Sequence, residues 1–151
     1  MNARALGIKA GAVLGELLAE RAFGNRPVTL VGYSLGSLVI HEALLELASR
    51  PPSETMHLIQ DVYLFGSPVP ADPHDWTKIR RLVSGRVVNG YSDKDYVLAV
   101  VCRAAEGSWR VAGLEPVGVK GVENVKCQFV EGHSMWRERL GQCLAECQAQ
   151  N

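Results

Sequence analysis

The stretch Val28-Thr29-Leu30-Val31-Gly32-Tyr33-Ser34-Leu35-Gly36 restricts the architecture of this chain more than any other. Its first four residues are apolar or β-branched and follow the turn formers Asn25-Arg26-Pro27, which predicts a short buried parallel strand. From about Leu35 to Ala48, the residues Leu38, Val39, Ala43, Leu44 and Leu47 recur at helical spacing. A strand that gives way so abruptly to a helix needs a sharp turn, and Gly32 and Gly36 flank it. Side chains at both glycines are expected to collide with the neighbouring strand and helix. A serine on such a turn sits in a strained backbone, with its hydroxyl lifted off the sheet at a helix N-terminus. There the helix's partial positive charge and the Leu35 N–H can hold an oxyanion. Ser34 is therefore a candidate nucleophile and Leu35 a candidate oxyanion donor.

The rest of the chain alternates in the same way. Residues 3–22 predict a helix with Leu6, Ala10, Val13, Leu14, Leu17 and Leu18 at helical spacing, and Gly7, Gly11, Ala12 and Gly15 suit close packing against a sheet. Further strands are expected in residues 57–65, with Val62-Tyr63-Leu64-Phe65 as the buried part, in 86–89 and in 125–130. Asp72-Pro73 starts a helix with Trp76, Ile79, Leu82 and Val83 inward, Tyr96 to Cys102 reads as helical, and Ser134 caps a last helix carrying Trp136, Leu140, Leu144 and Cys147. The Gly-rich excursion at 103–124, which includes Trp109, reads equally as a lid over a cleft or as an ordinary surface loop. Strand–helix alternation predicts an α/β fold with a mainly parallel sheet flanked by helices, in one domain spanning 1–151.

Charge and cysteines exclude several functions. Lys+Arg and Asp+Glu both number 16, so the basic excess of a general nucleic-acid binder is missing. No apolar run reaches the ~18 residues of a membrane span. Cys102, Cys127, Cys143 and Cys147 match no zinc-ribbon spacing and read as free thiols of a reducing, intracellular and cytoplasmic setting. Paired-histidine metal motifs are absent, and Gly32–Ser37 lacks a dinucleotide fingerprint, so no cofactor and no metal are expected.

A serine at its free pKa needs a base, and the base needs an orienting group. Of the four histidines, His41 lies two turns into the helix after the turn, His57 begins a strand at the wrong end of the sheet, and His74 is in a surface helix. His133 follows the last strand, in Glu131-Gly132-His133, where a loop reaches the strands' carboxyl edge. Asp93 and Asp95 occupy the loop after Val87-Val88. Asp95, just before Tyr96-Val97, is the favoured acid, and Asp93, nearer the loop tip, is the alternative.

On these residues the chain resembles the α/β-hydrolase superfamily at its lipase-like end. More narrowly, Val28–Gly36, Arg86–Leu98, Ala112–Val117, Val122–Val125 and Gly132-His133 resemble the hydrolase-like domain of the family of transmembrane and coiled-coil domain-containing protein 4, long filed as a domain of unknown function. The resemblance implies a Ser34–Asp95–His133 triad and a membrane-associated full-length protein, with carboxylic esters, lipid esters among them, as substrates. It also implies further strands ahead of Val28, whereas residues 1–27 hold a single helix, so the chain is expected to be the C-terminal half of such a domain. The second oxyanion donor would then be missing. The edge of Val28–Val31 would be open to self-association, and a non-catalytic interaction module is the alternative function.

Overall fold

The computed structural model describes residues 2–106 and 110–149. Helix α1 (Ala3–Ala19) leads into strand β1 (Val28–Tyr33), followed by α2 (Leu35–Ala48), a single turn α3 (Pro52–Thr55), β2 (Ile59–Phe65), α4 (Pro73–Leu82), β3 (Val87–Tyr91), α5 (Tyr96–Glu106), β4 (Val122–Lys126) and α6 (Met135–Ala149). The four strands form one parallel sheet in the order β1-β2-β3-β4, so each helical crossover returns the chain beside the strand it has just left. This is an α/β fold with helices on both faces. Trp109, expected in the Gly-rich excursion, lies outside the described residues.

Alternation along the strands divides the core. Val62, Leu64 and Val87 point to one face and pack with Leu44 and Leu47 of α2 and Trp76 and Ile79 of α4. Phe65, Val88 and Val125 point to the other and pack with Trp136, Cys143 and Cys147 of α6. All four cysteines are free and buried. The fourth strand begins three residues earlier than its apolar residues suggest, because the ladder with β3 runs from Val87–Val122 to Tyr91–Lys126 and Val130 belongs to the turn beyond it.

Helix α1 departs from the expected packing. Its buried positions are Gly7, Gly11, Gly15 and Leu18, and the three glycines face α2 rather than the sheet. A Cβ on Gly11 would lie 2.7 Å from the Val39 carbonyl oxygen, so only glycine permits this approach of two helices. Leu6, Val13 and Leu17, part of the apolar stripe at helical spacing, are exposed by 53%, 56% and 38%. Leu14 and Leu18 pack against the core with Val28 and Leu30 of β1, whose outer edge has no neighbouring strand among the described residues.

Candidate active site

Ser34 occupies the turn between β1 and α2. Ser34 has φ 51° and ψ −127°, a backbone state that costs a non-glycine residue about 1–3 kcal/mol and persists only when its surroundings enforce it. Four bonds do so: the Ser34 N–H donates to the Phe65 carbonyl at 2.9 Å, and the Ser34 carbonyl accepts from the Ser37 N–H at 3.0 Å, the Leu38 N–H at 3.3 Å and the Ser37 hydroxyl at 2.6 Å. A Cβ on Gly32 would sit 3.0 Å from the Ser37 nitrogen and 3.1 Å from the Gly36 carbonyl carbon. Gly36 differs from expectation: a Cβ there meets nothing within 4 Å, so its small size is not a packing requirement. Leu35 opens α2, where its N–H has no partner within the helix.

Three loops at the carboxyl edge of the sheet converge on this serine. The Ser34 hydroxyl lies 2.6 Å from His133 Nε2, on the loop between β4 and α6. His133 Nδ1 lies 2.7 Å from Asp95 Oδ2, on the loop between β3 and α5. An ionised Asp95 fixes the tautomer, with Nδ1–H donating to the carboxylate and Nε2 accepting from the serine hydroxyl. Asp95 is fully buried and accepts two further bonds, from Trp136 Nε1 at 2.9 Å and from the Leu98 N–H at 3.0 Å. Burial pushes its carboxyl up, but the bonds from His133, Leu98 and Trp136 outweigh it and hold the group below the ordinary carboxylate range. The hydrogen bond to Asp95 in turn holds His133 above the usual 6.5, against the opposite pull of burial.

The remaining candidates lie elsewhere. Asp93 is exposed and accepts from Lys126 at 2.9 Å. His41 is buried against Trp76, with ring centroids 5.6 Å apart, while His57 and His74 are exposed. Trp136 reads from the sequence as a core residue, and it is fully buried, yet its indole N–H serves the Asp95 carboxylate. The one sequence signal for that role is its position one helical turn after His133.

A cavity of about 330 Å³ opens at Ser34 and His133, walled by Leu35 and Leu38 of α2 and by Val97, Leu98 and Val101 of α5. Beside it, Tyr96, Val97, Val100 and Val101 form an exposed apolar row on α5. The segment 110–117 does not form a free flap. Asn89 donates to the Ala112 and Glu115 carbonyls, and the Ala112 and Gly113 N–H groups donate to Val69 and Ser67. A second cavity, about 430 Å³, lies at the opposite end of the sheet between Leu47, Met56 and Arg81 and contains none of these groups.

Residues 1–150 match the family described as "Protein of unknown function (DUF726)". The chain belongs to this family. It is 43% identical over 138 residues to "Probable lipase MIL1" of Saccharomyces cerevisiae, covering 89% of this chain and 13% of that protein. It is 45% identical over 144 residues to "Uncharacterized membrane protein C6F6.13c" of Schizosaccharomyces pombe, covering 93% of this chain and 24% of the relative. To "Transmembrane and coiled-coil domain-containing protein STS1" of Oryza sativa subsp. japonica it is 42% identical over 137 residues, 90% of this chain and 20% of the relative. The chain thus spans under a quarter of the length of these relatives. No solved structure matches it. The names of the relatives place the family among membrane-associated proteins, one of them a probable lipase. Among the described residues of this chain, no helix is long and apolar enough to cross a membrane.

Proposed function

We propose that this domain is a serine hydrolase acting on carboxylic esters, with Ser34 as nucleophile, His133 as base and Asp95 as the group that orients it. The observation that carries the reading is the unbroken hydrogen-bond chain Ser34–His133–Asp95, at 2.6 and 2.7 Å, across three separate loops. Ser34 Oγ attacks the ester carbonyl while His133 Nε2 takes its proton. The imidazolium so formed is stabilised by Asp95, which stays ionised. Collapse of the tetrahedral intermediate expels the alcohol with the proton returned by His133, and water then hydrolyses the acyl-serine by the same steps. The Leu35 N–H, on the nucleophile elbow flanked by Gly32 and Gly36, supplies one oxyanion contact.

The apolar cavity and the α5 row favour an ester with a hydrocarbon chain, as does the printed name of the yeast relative. The four free cysteines favour a reducing, cytoplasmic setting for the domain, within a membrane-associated protein. The test is hydrolysis of 4-nitrophenyl butyrate and 4-nitrophenyl octanoate. Wild-type turnover that Ser34→Ala abolishes supports the reading, and turnover that survives the substitution refutes it.

A second reading rests on a different observation. Among the described residues the outer edge of β1 has no neighbouring strand, Val31 on it is 42% exposed, and Leu6, Val13 and Leu17 of α1 are exposed as well. Unpaired strand edges recruit further strands. On this reading the chain self-associates through β1 and serves as an interaction module without turnover.

A further inference from the structure

After proline, glycine is the residue that a helix interior least favours, yet α1 repeats a small residue at every fourth position: Ala3, Gly7, Gly11 and Gly15. That spacing makes one face of the helix, and α2 lies against it. Ala3, at the start of the face, lines the cavity at Ser34. One turn on, Gly7 stands behind that cavity's wall. A Cβ on Gly7 would lie 3.1 Å from Leu35 Cδ1 and 3.1 Å from Leu38 Cδ2, and both leucines line the cavity. Gly11 and Gly15 differ. A Cβ on either would meet Val39, Glu42, Ala43 or Glu46, none of them a wall residue of the cavity. A side chain at position 7 needs room. Leu38 is 1% exposed in a close-packed core and has no space to retreat on that side. The open space beside both leucines is the cavity of about 330 Å³. A methyl at position 7 therefore moves the leucine ends a few tenths of an ångström into it, and a branched side chain moves them further.

We propose that Gly7 is a positioning residue that sets chain-length selectivity, because its missing side chain lets Leu35 and Leu38 stand back from the path of a hydrocarbon chain. This deepens the hydrolase reading and rests on it for turnover, though not for binding. Gly7 touches no reacting atom and acts through the two leucines. The ligand class it admits is an ester whose acyl chain runs from Ser34 along Leu38 and between the α2 wall and Val97 and Val101 of α5. Each methylene that finds cover there adds to transition-state binding, and each one crowded out loses that contribution.

The experiment has two arms. In the first, kcat/KM is measured for 4-nitrophenyl octanoate and 4-nitrophenyl butyrate, and their ratio is compared between variants. A disturbed Leu35 N–H would slow both esters alike, so the ratio reads the wall rather than the oxyanion contact. One buried methylene is worth about fourfold. The octanoate preference is expected to fall roughly threefold in Gly7→Ala and roughly tenfold or more in Gly7→Val. Adding Leu35→Ala to Gly7→Val removes a displaced side chain, keeps the backbone N–H, and should restore most of the preference. Gly15→Ala strains the same two helices against Ala43 and Glu46, away from the cavity, and should leave the ratio within about twofold. A ratio that Gly7→Val leaves intact, or that Gly15→Ala lowers as much, overturns the proposal. The second arm reads binding without chemistry. By calorimetry, the Ser34→Ala protein is expected to bind 1-octanol more tightly than 1-butanol, and Gly7→Val on that background should cut the difference roughly tenfold. No preference for 1-octanol, or one that Gly7→Val leaves unchanged, overturns the proposal. A reduced preference in this arm with no wild-type hydrolysis in the first would instead sink the hydrolase reading and leave Gly7 shaping a hydrocarbon-binding cavity.

Discussion

The carboxyl end of β1 and its outer edge contrast sharply. At its carboxyl end, a buried carboxylate has a partner for both oxygens, the histidine uses both ring nitrogens, and the serine's strained backbone is held by four bonds. Along its outer edge no further strand follows among the described residues, Val31 is exposed, and Leu6, Val13 and Leu17 of α1 are exposed too. The contrast teaches that order at the polar cluster does not depend on a completed sheet. Its geometry comes from the loops that follow β1, β3 and β4, with the Phe65 carbonyl of β2 holding the Ser34 N–H.

The strongest way to break this contrast is to remove the orienting carboxylate. Asp95→Asn leaves the shape intact but lets the imidazole take the wrong tautomer, and on the proposed chemistry kcat should fall on the order of 10³- to 10⁴-fold. The pH profile sharpens the point. His133 must be neutral to act as base, so wild-type activity should rise with pH through a midpoint above the ordinary histidine value of 6.5, and Asp95→Asn should move that midpoint down. The sign for stability is opposite. A histidine whose pKa is raised on folding contributes stability below its unfolded pKa and loses that contribution as pH rises through the folded one. The pH of best activity and the pH at which this pair most stabilises the fold should therefore differ.

Smaller effects test the supports. Trp136→Phe takes one donor from a fully buried carboxylate and should cost about 1–3 kcal/mol in denaturant unfolding. Gly32→Ala forces a methyl against the Ser37 and Gly36 backbone and should cost about 1–3 kcal/mol. Gly36→Ala, in open space inside a helix, should be neutral or stabilise by up to ~1 kcal/mol. At the other region, Val31→Lys should change unfolding by no more than about 0.5 kcal/mol while shifting any oligomer toward monomer in sedimentation. A loss of several kcal/mol there would mean that the edge is covered in solution.

Much of the architecture was legible because alternating strand and helix periods are local signals. The run from Val28 to Ala48 specifies strand, turn and helix within a few residues, and the sheet's parallel order then brings Asp95 and His133 to the same edge as Ser34. What escaped the sequence depends on contacts between distant elements. The apolar stripe of α1 marks a helix, but the decision to bury its glycines lies in how closely α2 can approach. Gly36 belongs to the motif pattern, while the space around it is set by the packing of α2. Trp136 carries an obvious apolar signal that hides its indole N–H. The boundary of β4 follows its hydrogen bonds to β3 rather than its apolar residues.

The central claim is that Ser34 is an activated nucleophile. A fluorophosphonate probe followed by mass spectrometry of the labelled peptide tests it most directly. The account predicts one adduct, on Ser34, absent from Ser34→Ala and formed far more slowly by His133→Ala. A wild-type chain left unlabelled, or labelled to the same extent as Ser34→Ala, would contradict it.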